Sequence, residues 1–219
     1  MTRSERYQAL HEHLEVAEIA TETELHYESP FQLLVAVVLS AQCTDKRVNE
    51  VAPKLFEVFP GPEFLAHASF EEVYPLIKSI SYPNNKAKHL IGLGKMIMEE
   101  FGGEVPDNRE ALQSLPGVGR KAANVILSVL FDQPTMAVDT HVFRVSKRLG
   151  LVNQNVKSPF DVEKKLIQNI PKRLVAKADQ WMILHGRYTC VARKPACDQC
   201  DVAHFCRYFE KKLQKGTLE

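Results

Sequence analysis

Between residues 107 and 131 two helical patterns are joined by only five residues, Leu115-Pro116-Gly117-Val118-Gly119. That joint constrains the fold more than any other feature of the chain. Before it, Asp107 and Glu110 stand at capping-box spacing and open a helix toward Ser114. After it, Ala122, Val125, Ile126, Val129 and Leu130 recur at helical spacing and predict an apolar stripe, with Lys121, Asn124 and Ser128 on the opposite side. Two glycines in so short a link let the backbone reverse sharply and approach a ligand closely. The link also ends at a helix N-terminus, whose first N–H groups have no partner within the helix. Together these make a nest for an anion such as a phosphate, with Gly117, Val118, Gly119 and Arg120 as the candidate contacts. A plain helix–helix turn with a glycine cap is the other reading of a lone Gly-x-Gly.

Lys121 is misplaced by electrostatics. The positive end of a helix dipole and the adjacent Arg120 both disfavour a cation there. A lysine that gives up its proton readily is a nucleophile, although a lysine at a helix start is commonly only a surface residue.

The rest of the chain carries the same helical grammar, with joints marked by proline or glycine and no sustained strand alternation. Ser29-Pro30 reads as an N-cap and first helical residue, so Phe31 to Leu39 becomes a helix apolar on all sides. Asp139 or Thr140 caps a helix running through Arg148 and stopped by Gly150. Ser158-Pro159 starts another, which ends before Pro171, and a long one covers roughly Leu174 to His185. Lys211 to Glu219 reads as a frayed tail. The expected fold class is all-α.

At 219 residues the chain is long enough for one large domain or two small ones. The run from Phe31 to Leu39 falls far short of the roughly 20 apolar residues that span a bilayer, and the N-terminus lacks an apolar signal core, so no membrane association is expected. The expectation is a cytoplasmic, nucleoid-associated protein. Net charge is only +1, but residues 1–110 carry 10 Lys and Arg against 18 Asp and Glu, whereas residues 111–219 carry 18 against 9. A basic half points to a polyanion partner or to a merely solvated basic surface.

Four of the five cysteines crowd the C-terminal end as Cys190-x6-Cys197-x2-Cys200-x5-Cys206. In a cytosolic chain such a cluster indicates a metal site rather than disulfides. Four thiolates hold a tetrahedral zinc or an iron–sulfur cluster, and the uneven spacing, with a single short pair, suits wrapping the larger object. Arg187, Arg193 and Lys194 surround the first of these cysteines and present cations to phosphate or simply to water. Cys43, alone, reads as a small buried hydrophobe.

These segments, taken in order, resemble the endonuclease III family of DNA base-excision glycosylases: LSAQCTD (39–45), LPGVGRKAANV (115–125), AVDTHVFRV (137–145), LHGRYTC (184–190) and the 6-2-5 cysteine spacing. The resemblance covers nearly the whole chain. It implies a helix-hairpin-helix glycosylase fold with two helical domains: a six-helix barrel over 24–134, and a second domain built from 1–23 and 135–219 with a [4Fe–4S] cluster loop held by Cys190, Cys197, Cys200 and Cys206. It implies a monomer acting on double-stranded DNA with damaged bases or abasic sites, removing oxidised pyrimidines and cutting the abasic strand by β-elimination. In that chemistry Lys121 corresponds to the catalytic lysine, which forms a Schiff base, and Asp139 to the catalytic aspartate. Gln42 corresponds to the residue that fills the gap left by the flipped base. His141, Arg144, Arg187, Arg193 and Lys194 join the hairpin as expected DNA contacts.

One stretch departs from the family pattern. A Gly-Leu pair usually follows Ile-Lys-x-Ile, with the leucine wedging into the opposite strand; here Ile77-Lys78-Ser79-Ile80 is followed by Ser81-Tyr82. A tyrosine wedge is closer to the related mismatch adenine glycosylases, which leaves opposite-base preference open. Lys121 and the short chain argue against that activity. A non-catalytic module that grips phosphates through hairpin and cluster is the remaining alternative, and the Lys121–Asp139 pair argues against it.

Overall fold

A computed structural model of the chain describes residues 1–19 and 23–214. Among the described residues there are twelve α-helices and no strand. They divide into two compact units, Met1–Thr21 with Gln133–Glu219, and Glu22–Asp132.

The unit Glu22–Asp132 is built around α2 (Pro30–Ser40). Ser29 caps it through a bond from the Gln32 N–H, and Pro30 supplies a first-turn residue with a preset φ. Every residue from Phe31 to Leu39 is buried. A helix apolar on all sides must be surrounded, and α3 (Asp45–Val58), α6 (Pro83–Phe101) and α8 (Arg120–Phe131) pack against it. Each fully buried leucine there, such as Leu33, Leu34 and Leu39, contributes about 1.5–3 kcal/mol. Gly94 lets α6 approach α4 (Pro62–His67) closely, since a Cβ there would stand 2.8 Å from the Leu65 Cβ and the Ala66 nitrogen. The helix α5 (Phe70–Ile77) packs on α3 and α6, and α7 (Arg109–Ser114) on α8.

Two local expectations are corrected here. The N-cap of α7 is Asn108, whose Oδ1 accepts the Ala111 N–H at 2.9 Å, so the helix starts one residue later than the Asp107–Glu110 spacing suggests. The buried face of α8 is Ala123, Asn124, Ile126 and Leu127, with Ala122, Val125, Val129 and Leu130 only partly covered. Asn124 is therefore inside, not on the opposite side with Lys121. Its amide oxygen accepts the Arg109 Nε–H at 3.0 Å, which offsets the cost of burying an amide.

The other unit joins α1 (Arg3–Val16) to α9 (Thr140–Leu149), α10 (Pro159–Asn169), α11 (Lys172–Tyr188) and α12 (Arg207–Gln214). A capping box between Thr2 and Glu5 starts α1, a signal present in the sequence and passed over. Gly186 permits close packing of α11 on α9, where a Cβ would meet the His141 Cβ at 2.7 Å. Arg6, almost wholly buried, donates to the Phe205 carbonyl and to Glu210. Residues 211–214, expected as frayed tail, belong to α12; the remainder of that tail lies outside the described residues.

Candidate functional site

The link 115–119 is anchored from within. Leu115 and Val118 are buried, and the Val118 N–H is bonded to the Leu115 carbonyl at 3.1 Å. Val118 thus spends both its side chain and its N–H on the turn itself. The two glycines are not equivalent. Gly117 has φ +84°, and a Cβ there would press on His89 and Val38 at 3.1 Å, so the fold itself needs glycine. Gly119 has φ −87° and nothing within 4 Å of a built Cβ. No internal contact requires glycine at 119; the open space is on the outside, in front of the α8 N-terminus. Gly119 is the N-cap of α8 and offers no side-chain cap, and the first turn of that helix contains no acidic residue to offset its dipole. Lys121, two residues on, is exposed.

Gln42 and Tyr82 are also exposed and share an uncommon backbone: φ is +54° at Gln42 and +58° at Tyr82. Gln42 lies just past α2, and Tyr82, 63% exposed, is the N-cap of α6.

In the other unit Asp139 is the N-cap of α9, and one oxygen, Oδ1, accepts both the His141 and Val142 N–H groups at 2.7 and 2.8 Å. The approach to Asp139 is fixed by burial of Met136, Ala137 and Val138 and by Asp179, whose carboxylate accepts the Ala137 N–H at 3.1 Å. Asp179 was not found from the sequence; a carboxylate on the apolar face of α11 was the available signal. His141 is half-buried, and its Nδ1 lies 3.1 Å from the Arg144 guanidinium. Arg144 turns inward, donating to the Cys190 and Gly186 carbonyls at 3.0 and 2.8 Å. Arg187 is half-buried; Arg193 and Lys194 are exposed.

Cys190, Cys197, Cys200 and Cys206 line one cavity with Leu149, Pro195, Ala203 and Phe209. Among the described residues no cysteine is in a disulfide, and no three His, Cys, Asp or Glu side chains converge on a single-ion site. Four thiols lining one cavity are a donor set of the kind that holds a metal ion or a metal–sulfur cluster. Burial pushes the Cys197 and Cys206 thiols up, and that of Cys200 to about 11, so a cationic group is needed to hold them as thiolates. Arg148, also missed from the sequence, donates to the Cys190 Sγ at 3.3 Å and to the Cys190, Val191 and Ala192 carbonyls.

Residues 35–172 match the model of the HhH-GPD superfamily of base excision DNA repair proteins. Endonuclease III of Haemophilus influenzae (strain KW20) is 47% identical over 86% of this chain and 89% of its own length. The chain belongs to the endonuclease III family. A non-covalent endonuclease III–DNA complex superposes with TM-score 0.88 and 41% identity, covering 98% of this chain and 100% of that one. A trapped endonuclease III–DNA covalent intermediate, an estranged-adenine complex, gives 0.86 and 42%, covering 97% and 99%. The helix-hairpin-helix fold is that of the family, and the protein is a base-excision DNA glycosylase and abasic-site lyase. No helix among the described residues is long and apolar enough to cross a membrane.

Proposed function

We propose that Lys121 is the amine that performs both steps, on oxidised pyrimidines in double-stranded DNA, and that Asp139 serves it. The observation that carries this is the exposed lysine side chain at the start of α8, directly beyond a glycine turn open to the outside. That a relative was trapped as a covalent intermediate with DNA supports an enzyme nucleophile in this family. The damaged nucleotide is flipped from the stack. Lys121, as free amine, attacks C1′ and the base leaves with the glycosidic electron pair. Opening of the sugar ring gives the imine. Loss of a C2′ proton then expels the 3′ phosphate, and water releases the enzyme. Asp139 carries negative charge to a sugar carbon that becomes positive as the base departs, and its capping bonds hold it in place.

The grip on DNA comes from the backbone of the turn at Gly117, Gly119 and Arg120, which is open on the outside at Gly119, with Val118 anchoring the turn from inside. Arg187, Arg193 and Lys194 add positive charge near the cysteine loop, with His141 at the start of α9; Arg144 acts on that surface indirectly, by bracing the loop. Gln42 fills the vacated stack and Tyr82 wedges the opposite strand. Cys190, Cys197, Cys200 and Cys206 would hold a [4Fe–4S] cluster, which would cross-link the loop 190–206. A barrel domain over 24–134 and a cluster domain over 1–23 and 135–219 are part of this reading, and the division of the chain into 22–132 and 1–21 with 133–219 supports it. The enzyme works as a monomer at the nucleoid.

The test is reductive trapping. With borohydride the wild-type protein forms a covalent complex on a thymine glycol duplex, and Lys121→Gln forms none while still binding. A normal yield from Lys121→Gln overturns the assignment. Dihydrouracil, abasic-site and A:8-oxoguanine duplexes in the same panel show whether Tyr82 shifts the substrate range.

A further inference from the structure

Tyr82 is held in a conformation that its own chemistry opposes. N-caps ordinarily have extended backbone, and the residue before a proline is pushed toward it as well, yet Tyr82 has φ +58° and ψ +48° before Pro83. Gln42 adopts the left-handed region at a position past a helix end where glycine is usual. Both side chains are exposed, so packing does not account for the strain. One residue is bonded to both segments. Lys86, only 5% exposed, donates its backbone N–H to the Tyr82 carbonyl at 3.1 Å. Its Nζ donates to the Leu39 and Ala41 carbonyls at 2.9 and 2.7 Å, immediately before Gln42. A buried ammonium is an expensive way to satisfy two helix-end carbonyls, and burial lowers the Lys86 pKa accordingly.

We propose that Lys86 is a positioning residue for base extrusion: it ties the Ala41–Gln42 turn to the Tyr82 cap, so that the residue filling the gap and the residue wedging the opposite strand enter the duplex from one rigid frame. This rests on the roles given above to Gln42 and Tyr82. Lys86 touches no DNA in this scheme; it fixes in advance the two strained backbones that do, so opening the duplex does not have to order them. A lysine that merely caps α2 would matter equally for every substrate. A lysine that sets the wedge matters only where a base stack must be opened.

The experiment compares Lys86→Met, Tyr82→Ala and Gln42→Ala on two abasic-site substrates, a duplex and a single strand. Lys86→Met should lower kcat/KM on the duplex by about tenfold or more while changing single-strand cleavage less than about twofold. With 2-aminopurine opposite an abasic analogue, the fluorescence rise at saturating protein should shrink in Lys86→Met. Adding Lys86→Met to Tyr82→Ala should cost little further, because both act on one step. Lys86→Gln keeps an N–H donor; it should fold and show an intermediate, duplex-specific loss, and it carries the comparison if Lys86→Met is not recovered folded. Equal losses on both substrates, or none on either, overturn the proposal. If Tyr82→Ala and Gln42→Ala also lack a duplex-specific loss, the wedge reading itself has failed. If they show it and the Lys86 variants do not, only the positioning role has.

Discussion

The link Leu115–Gly119 and the segment Cys190–Cys206 are both irregular, yet opposite means hold them. The link is short, and the core holds it: Leu115 and Val118 are buried, and Gly117 packs against His89 and Val38. Nothing external is needed to keep it shaped, so its backbone is free to meet a ligand. The cysteine segment has no buried residue between Cys190 and Asp201, and only Val202 and Phe205 are buried before Cys206. Guanidinium groups of Arg144 and Arg148 gather its carbonyls, two single 3₁₀ turns shape it, and its thiols face one cavity. In a segment so poor in apolar burial, the proposed cluster would supply a cross-link that the core does not. One irregular region is finished by the core and leaves its outer side open; the other is gathered by guanidinium groups around a cavity lined with thiols, where the proposed cluster would complete it.

That contrast can be broken by substitution. Lys121→Gln should reduce strand scission by at least about three orders of magnitude, since the amide is not a nucleophile that can form the imine. Because Lys121 is exposed, thermal stability should move by no more than about 0.5 kcal/mol. A loss of stability comparable to the loss of activity would erase the contrast. Cys200→Ser should do the reverse, removing iron and costing on the order of 5 kcal/mol of stability, read by metal analysis and melting. One zinc and no iron in the wild-type protein would overturn the cluster assignment. Asp139→Asn should slow base release by about 100-fold or more while its amide still caps α9, so melting shifts by less than about 1 kcal/mol.

The two glycines sharpen the comparison within the link. Gly117→Ala should destabilise by about 1–3 kcal/mol, because it meets both a positive φ and a crowded Cβ site. Gly119→Ala should change stability by less than about 0.5 kcal/mol and instead weaken duplex binding several-fold. Equal destabilisation by the two would mean that the turn is only a turn.

Much of this was legible from local chemistry. Ser29-Pro30, Asp139, Gly150 and the 115–119 link each signal their structure within a few residues, because a cap, a stop or a reversal is decided by neighbouring atoms. The face of α8 was not legible. Apolar residues lie almost all round that helix, so periodicity alone could not choose between the Ala122–Val125 stripe and the Ala123–Ile126–Leu127 face. Asn124 goes inside, where Arg109, fifteen residues earlier, meets it.

The sequence by itself determined an all-helical chain, the glycine turn ahead of Lys121, a helix cap at Asp139 or Thr140 and the four thiols, since each is a matter of residue type and spacing. Only the tertiary structure decided what those residues face. It separated Gly117, which the fold requires, from Gly119, which it leaves open. It turned Arg144 into the protein and buried Lys86 across from the end of α2. The reason is range: caps and turns act over one to four residues, whereas the Lys86 to Leu39 bond spans 47 positions and exists only once α2 and α6 are packed together.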